Sequence, residues 1–406
     1  MSENLVPGVT ILGERLRQSL TERHSRHLYR QTLLRDPGCG LEQVIDGRLF
    51  VNFCSNDYLG LSHHPDVVAA LIRGAKEYGV GSGASHLVTG HCRVHEQLCE
   101  ELADFCGRDR VMLFSTGYMA NIGVINALTR PDDLVCHDAL NHASLLDGGW
   151  LSRAESKRYP HVDLESLSNM LGNFDRRRTT ESMALVVTDG VFSMDGDCAP
   201  LADLADLALH HDAVLMVDDA HGIGCLGPQG RGVVADAGLT QQQVPVLVGT
   251  FGKAFGTAGA FVSGDDLLID YLTQFARTYV FTTAMSPALA EATRTSLALL
   301  RQEHWRRARL QELIERFRTT TLMLGLKLLP GNSPVQALML GDAATAQAVS
   351  QLLKQRGLQV SAIRPPTVPV GQSRLRITLS AVHSDEHLQR LLDALAEVAE
   401  YLQDRA

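Results

Sequence analysis

Lys253 stands between Gly252 and Ala254 in the stretch PVLVGTFGKAFGTAGAFVSG. An apolar run, Val246 to Val248, precedes it and reads as a buried strand; a second, Gly259 to Val262, follows. Partial burial of a lone lysine among small residues depresses its pKa and leaves a neutral, nucleophilic amine. Such amines form Schiff bases with carbonyl compounds. A solvated lysine in a glycine-punctuated turn fits this window as well. The stretch is not a phosphate-binding P-loop: position 247 is leucine, and Ala254 stands where Ser or Thr is required.

Other groups able to do chemistry follow strand-like runs. Val214 to Val217 ends in Asp218-Asp219-Ala220-His221, and alternation lets only one of the two aspartates face a given site. Ala184 to Thr188 leads into DGVFSMDGDCAPL, which places Ser193 and the acids Asp189, Asp195 and Asp197 in a loop. RVMLF, STG and YMANIGVINAL read as strand, turn and helix. Free amides at Gly117 and Tyr118 there suit an anion such as phosphate, although an ordinary turn fits the spacing too. His142 follows Asn141 before a helical run, where an isolated histidine is more often a satisfied polar group than a catalyst. In RLRITLS, Leu375, Ile377 and Leu379 share one face, and Arg374, Arg376 and Thr378 the other. An arginine beside a loop there suits a carboxylate clamp; a solvated sheet face fits Arg374.

Two motifs are set aside. GIGCLG (Gly222 to Gly227) matches a dinucleotide fingerprint, but Pro228, Gly230 and Gly232 follow, so no helix N-terminus meets a pyrophosphate. Cys92, His95 and Cys99 share a helix face without the paired spacing of structural zinc, so no metal site is expected.

The elements that must position these groups divide in character. Residues 1–48 read as a helical N-terminal arm with leucines at 12, 16, 20 and 28; residues 49–290 alternate strands and helices. A helical region from Pro287 to about Leu324 reads as the connection into the C-terminal part, residues 291–406. VQALML, LQVSAI and RLRITLS then alternate with helices 344–356 and 384–402. The expected fold is α/β with a mostly parallel sheet in the large domain and a small, antiparallel α+β C-terminal domain. Across the 406 residues, 45% hydrophobic and 20% charged content is that of a soluble globular protein. A net charge of −9 offers no global field for nucleic acid. No apolar run approaches a membrane span. MSENLVPGVT lacks a secretory pattern, and the eight cysteines show no CxxC pair, so a cytoplasmic location is expected.

SNDYLGL, GSGAS with the following TG, NHASLLDG, DGVFSMDGD, VDDAHG, GTFGKAFG and RPPTVP occur in that order from Ser55 to Pro369. The set resembles the α-oxoamine synthases, enzymes of the aspartate-aminotransferase fold (fold type I) that use pyridoxal 5′-phosphate. The resemblance implies that Lys253 holds the cofactor covalently and then acts as base. Asp218 would pair with the pyridine nitrogen, and His142 would stack on the ring. His221 and Ser193 would lie toward the phenolic oxygen. Gly117, Tyr118 and Thr250 would surround the phosphate side, joined by the TYVFTT segment of a second subunit, which implies a homodimer with a shared active site. Arg376 would bind the amino-acid carboxylate, with Arg30, Asn56, Thr367 and Arg364 on the substrate side. NHASLLDG and AIRPPTVP look most like the member that joins L-alanine to pimeloyl-CoA or pimeloyl-acyl carrier protein. A sister member joining glycine to acetyl-CoA is the alternative. Two departures from the family pattern stand out: Asp189 where many members have glutamate, and Ala84 for the second glycine of GSGGS.

Overall fold

The computed structural model describes residues 7–404 apart from 27, 31 and 37–39. The reading of the MSENLV terminus lies outside the described residues. The strands Arg110–Phe114, Ala260–Gly264, Val246–Thr250, Val214–Asp218, Ala184–Asp189, Leu134–Asp138 and Glu155–Tyr159 lie side by side in that order. All run parallel except Ala260–Gly264, which is antiparallel to both neighbours. The sheet is covered by helices on both faces. Its central strands are therefore buried at nearly every position, and Ala184–Asp189 is buried throughout. This is the expected mostly parallel α/β architecture.

One consequence positions the site. Phe114, Asp138, Asp189, Asp218 and Thr250 are the last residues of parallel strands, so their loops gather along one sheet edge. Asp189 and Asp218 are direct neighbours in the ladder.

The C-terminal part carries the antiparallel sheet Val335–Gly341, Ser373–Thr378, Ser361–Ile363. LQVSAI, expected as one strand, is two. Leu358–Gln359 pairs in parallel with Arg48–Asn52, while Ser361–Ile363 joins the other sheet. The Val360 carbonyl between them accepts a hydrogen bond from the Ser350 hydroxyl at 2.8 Å instead of a ladder partner. The helical arm likewise ends early, at Ser25, and Glu42–Ile45 forms a hairpin with Arg48–Asn52. The helical region from Pro287 breaks at Glu303 (φ −91°, ψ 63°) into Pro287–Gln302 and His304–Met323. Arg374, expected on a solvated face, is only 2% exposed and pairs with Asp195.

After Lys253 the chain turns at Gly256, whose φ of +65° favours glycine. A Cβ there would lie 2.3 Å from the Ser62 nitrogen of the SNDYLGLS loop. Gly256→Ala is expected to lower stability by about 2 kcal/mol or more. A urea-unfolding midpoint equal to that of the parent protein would refute this.

Candidate active site

The turn bearing Lys253 hangs from two strands. Thr250 donates its hydroxyl to the Gly259 carbonyl at 3.0 Å and accepts the Gly252 N–H at 3.3 Å, which closes the loop around the lysine. Burial lowers the Lys253 ammonium to about 8; Asp218 and Asp189 oppose that shift, and Arg376 adds to it. Cofactor-free protein is therefore expected to acylate at Lys253 with a midpoint near pH 8, the rate rising as the ammonium loses its proton. Mass-resolved labelling against pH checks this, and a midpoint like that of surface lysines would contradict it.

Asp218 is buried, with two protein donors on its carboxylate. The Asn121 amide donates at 2.6 Å and the Ala220 N–H at 3.0 Å. Asp219, on the opposite face of the strand, turns away and accepts the Val233 N–H at 2.8 Å. Asn121 also donates to the Ser144 hydroxyl at 2.8 Å, and that hydroxyl meets His142 Nδ1 at 2.7 Å. The Ser144 N–H reaches Nδ1 as well, so Nδ1 accepts and the proton belongs on Nε2. Burial lowers the His142 pKa despite the nearby Asp218. The His142 N–H is held by Asp189 at 2.6 Å. The shorter carboxylate at position 189 thus reaches its partner. Burial, followed by the adjacent Asp218, pushes the Asp189 carboxyl well above its usual range. At Ala84, the carbonyl accepts the Ala284 N–H at 2.9 Å, a backbone role that the added methyl leaves intact.

A second chain of contacts runs from the strand Ser373–Thr378 to His221. Arg376 is buried, donates Nε to the Ser193 carbonyl at 2.6 Å and reaches Asn56 Oδ1 at 3.1 Å. Tyr58 bonds Asn56 Oδ1 at 3.2 Å and His221 Nδ1 at 2.6 Å. Burial, then the charges of Lys253 and Arg376, keep His221 well below its usual pKa and hence neutral. Ser193 thus enters through its carbonyl, toward Arg376.

Gly117 opens the helix Gly117–Leu128, capped by Thr116, which accepts the Met119 N–H at 3.2 Å. A Cβ on Gly117 would meet nothing within 4 Å, so there is room beside the start of this helix. Tyr118 is half exposed and bonds Asp147. Arg30, Arg364 and Thr367 line a separate cavity of about 190 Å³ beside the cis Pro365–Pro366 bond. A larger cavity, about 520 Å³, lies at the other, amino-terminal sheet edge beside Val214 and Val246, away from Lys253.

The structure therefore gathers Lys253, Asp218, His142, His221, Asn56, Arg376 and Ser193. Asn121, Ser144 and Tyr58 were not singled out from the sequence. Asn121 lies one helical turn beyond Gly117, and that spacing was the available signal. In place of the Cys92, His95, Cys99 face, the structure clusters the ring nitrogens of His86, His91 and His95 within 4.8 Å. His95 uses both of its own on backbone, Nδ1 toward the Cys92 N–H and Nε2 toward the Met285 carbonyl.

The Aminotransferase class I and II family matches residues 49–395. The 8-amino-7-oxononanoate synthase of Saccharophagus degradans is 53% identical over 389 residues, covering 95% of this chain and 97% of that protein. The chain belongs to the 8-amino-7-oxononanoate synthase family. A structure of the family's enzyme from Francisella tularensis shares 30% identity at a TM-score of 0.76, covering 87% of this chain and 99% of that one. A high-resolution structure of SPT with PLP superposes with a TM-score of 0.90 at 32% identity, covering 96% and 98%. Fold similarity thus extends beyond the 8-amino-7-oxononanoate synthases, and the high sequence identity distinguishes them.

The residues present fit pyridoxal phosphate. They offer an amine poised near neutrality, a buried carboxylate for a ring nitrogen, an imidazole and the amides of a helix start for a phosphate. Among the described residues no helix is long and apolar enough to cross a membrane.

Proposed function

We propose that this protein makes 8-amino-7-oxononanoate from L-alanine and a pimeloyl thioester with pyridoxal phosphate as cofactor, a step of biotin biosynthesis. One observation carries the assignment: the high identity to 8-amino-7-oxononanoate synthases over nearly the whole chain, which the buried Lys253 within the fields of Asp218 and Arg376 supports. The bound cofactor supplies an electron sink, its pyridine nitrogen paired with Asp218. Asn121 and Ala220 fix that carboxylate in place. His142, with its proton on Nε2, offers a neutral ring face. Arg376 holds the alanine carboxylate, oriented by Ser193 and Asn56.

Lys253 as free amine takes the alanine Cα proton. Alanine Cα then bonds to the thioester carbonyl carbon and the thiol carrier leaves. The former alanine carboxylate departs as carbon dioxide, and a proton returns to Cα. Arg30, Thr367 and Arg364 line the acyl side. Phe281 of the TYVFTT segment is exposed, which supports a homodimer whose second copy receives that segment across its site. Alanine, glycine and serine, each offered with pimeloyl-, acetyl- and palmitoyl-CoA, test the assignment. Turnover with alanine and the pimeloyl thioester is expected; turnover with glycine and acetyl-CoA alone would make the protein a 2-amino-3-ketobutyrate ligase instead.

A further inference from the structure

His161 lies outside the groups around Lys253, yet it touches both loops that carry them. Its Nδ1 meets Asp138 Oδ1 and its Nε2 meets Asp197 Oδ2, each at 2.9 Å. Its ring stands edge-on to Phe192, centroids 4.4 Å apart and planes at 90°. Burial alone would lower the pKa of this histidine, but the two carboxylates outweigh it and raise the value to about 10. The ring is therefore an imidazolium near neutrality, with one N–H for each carboxylate.

Each carboxylate organises a different loop. Asp138 ends its strand and accepts the N–H groups of Leu140 and Val162, both at 2.8 Å. Its carbonyl takes the Asn141 N–H, and Asn141 in turn fixes the ladder end at Asp189, next to His142. Asp197 closes the other loop, its carbonyl accepting the Phe192 N–H at 2.9 Å. That loop bears the Ser193 carbonyl bound to Arg376 and the Asp195 carboxylate paired with Arg374. Asp197 Oδ1 has no hydrogen-bond partner among the described residues, so His161 is the partner that holds this side chain.

We propose that His161 is a positioning residue: a charged staple that sets the separation between the His142 turn and the Ser193–Asp197 loop, and thereby the seat of the amino-acid carboxylate on Arg376. The proposal rests on the role given above to Arg376. Losing the staple frees the Ser193 carbonyl to drift and loosens Arg376, while the acyl side at Arg30 and Thr367 is untouched.

His161→Ala is expected to raise the KM for alanine about tenfold, with kcat and the KM for the pimeloyl thioester within about twofold. In the same variant without cofactor, amide hydrogen exchange is expected to accelerate at Leu140, Val162, Phe192 and Gly196, and to stay unchanged in Val214–Asp218. Asp197→Asn, which keeps the shape and removes the charge, gives the same split should the alanine variant not fold. Unchanged exchange with unchanged KM values, or both KM values rising together, overturns the staple. Arg376→Ala is the control. If it leaves the KM for alanine unaltered, the carboxylate assignment fails. If it raises that KM while His161→Ala and Asp197→Asn do not, only the staple fails.

Discussion

Lys253→Ala is expected to lower kcat by about 10⁴-fold and to abolish any borohydride-fixed attachment of the cofactor. Both losses follow from one atom. In the proposed reaction the Nζ would be both the covalent anchor and, as free amine, the base that removes the Cα proton. The field around it prepares the second of these roles. Burial disfavours the ammonium, while Asp218 and Asp189 stop its pKa from falling further than about 8. An added primary amine is expected to restore part of the turnover, because it supplies a base but no anchor. Turnover within tenfold of the parent, measured with alanine and the pimeloyl thioester, would sink the assignment of this lysine.

Asp218→Asn should cost between about 10² and 10³ in kcat, since it removes a preorganised charge without changing shape. The amide can keep the contact with Ala220, but its own N–H₂ cannot accept from Asn121, so the replacement also loses its orientation. A second readout needs no turnover. Asp218 supports the charged form of Lys253, so its neutralisation lowers the lysine pKa further. In cofactor-free Asp218→Asn protein the pH midpoint of Lys253 acylation is expected to fall below 8. An unchanged midpoint would mean that the carboxylate does not act on the amine.

The large sheet was legible because both of its faces are covered: runs such as Ala184 to Val187 are apolar along their whole length, and each leads into polar residues of the site. The ordered motifs, above all DGVFSMDGD, VDDAHG and GTFGKAFG, did what the lysine window alone could not. What the sequence hid depends on partners far along the chain. Arg374 reads as a surface arginine until Asp195 is found against it. LQVSAI reads as one strand because alternation cannot reveal that two sheets compete for its ends, with the Ser350 hydroxyl capping the join. Asn121 looks like an ordinary helix polar residue, and only the fold sets it beside Asp218. Short-range pattern marks elements; it cannot name a contact partner one hundred residues away.

The bond between Arg376 and Asn56 joins residues 320 positions apart. In the same way Arg48–Asn52 finishes its pairing only with Leu358–Gln359. On the ribosome, Asn56 must then wait for Arg376 to be made. At roughly 5–20 residues per second, that is ~15–60 s. During the wait Lys253, Asp218, Asn56 and Ser193 are all made, and Arg376 is the member of the proposed amino-acid seat still missing. On the roles proposed above, a chain released before residue 376 would carry the groups proposed for the cofactor without the arginine proposed to hold the amino acid.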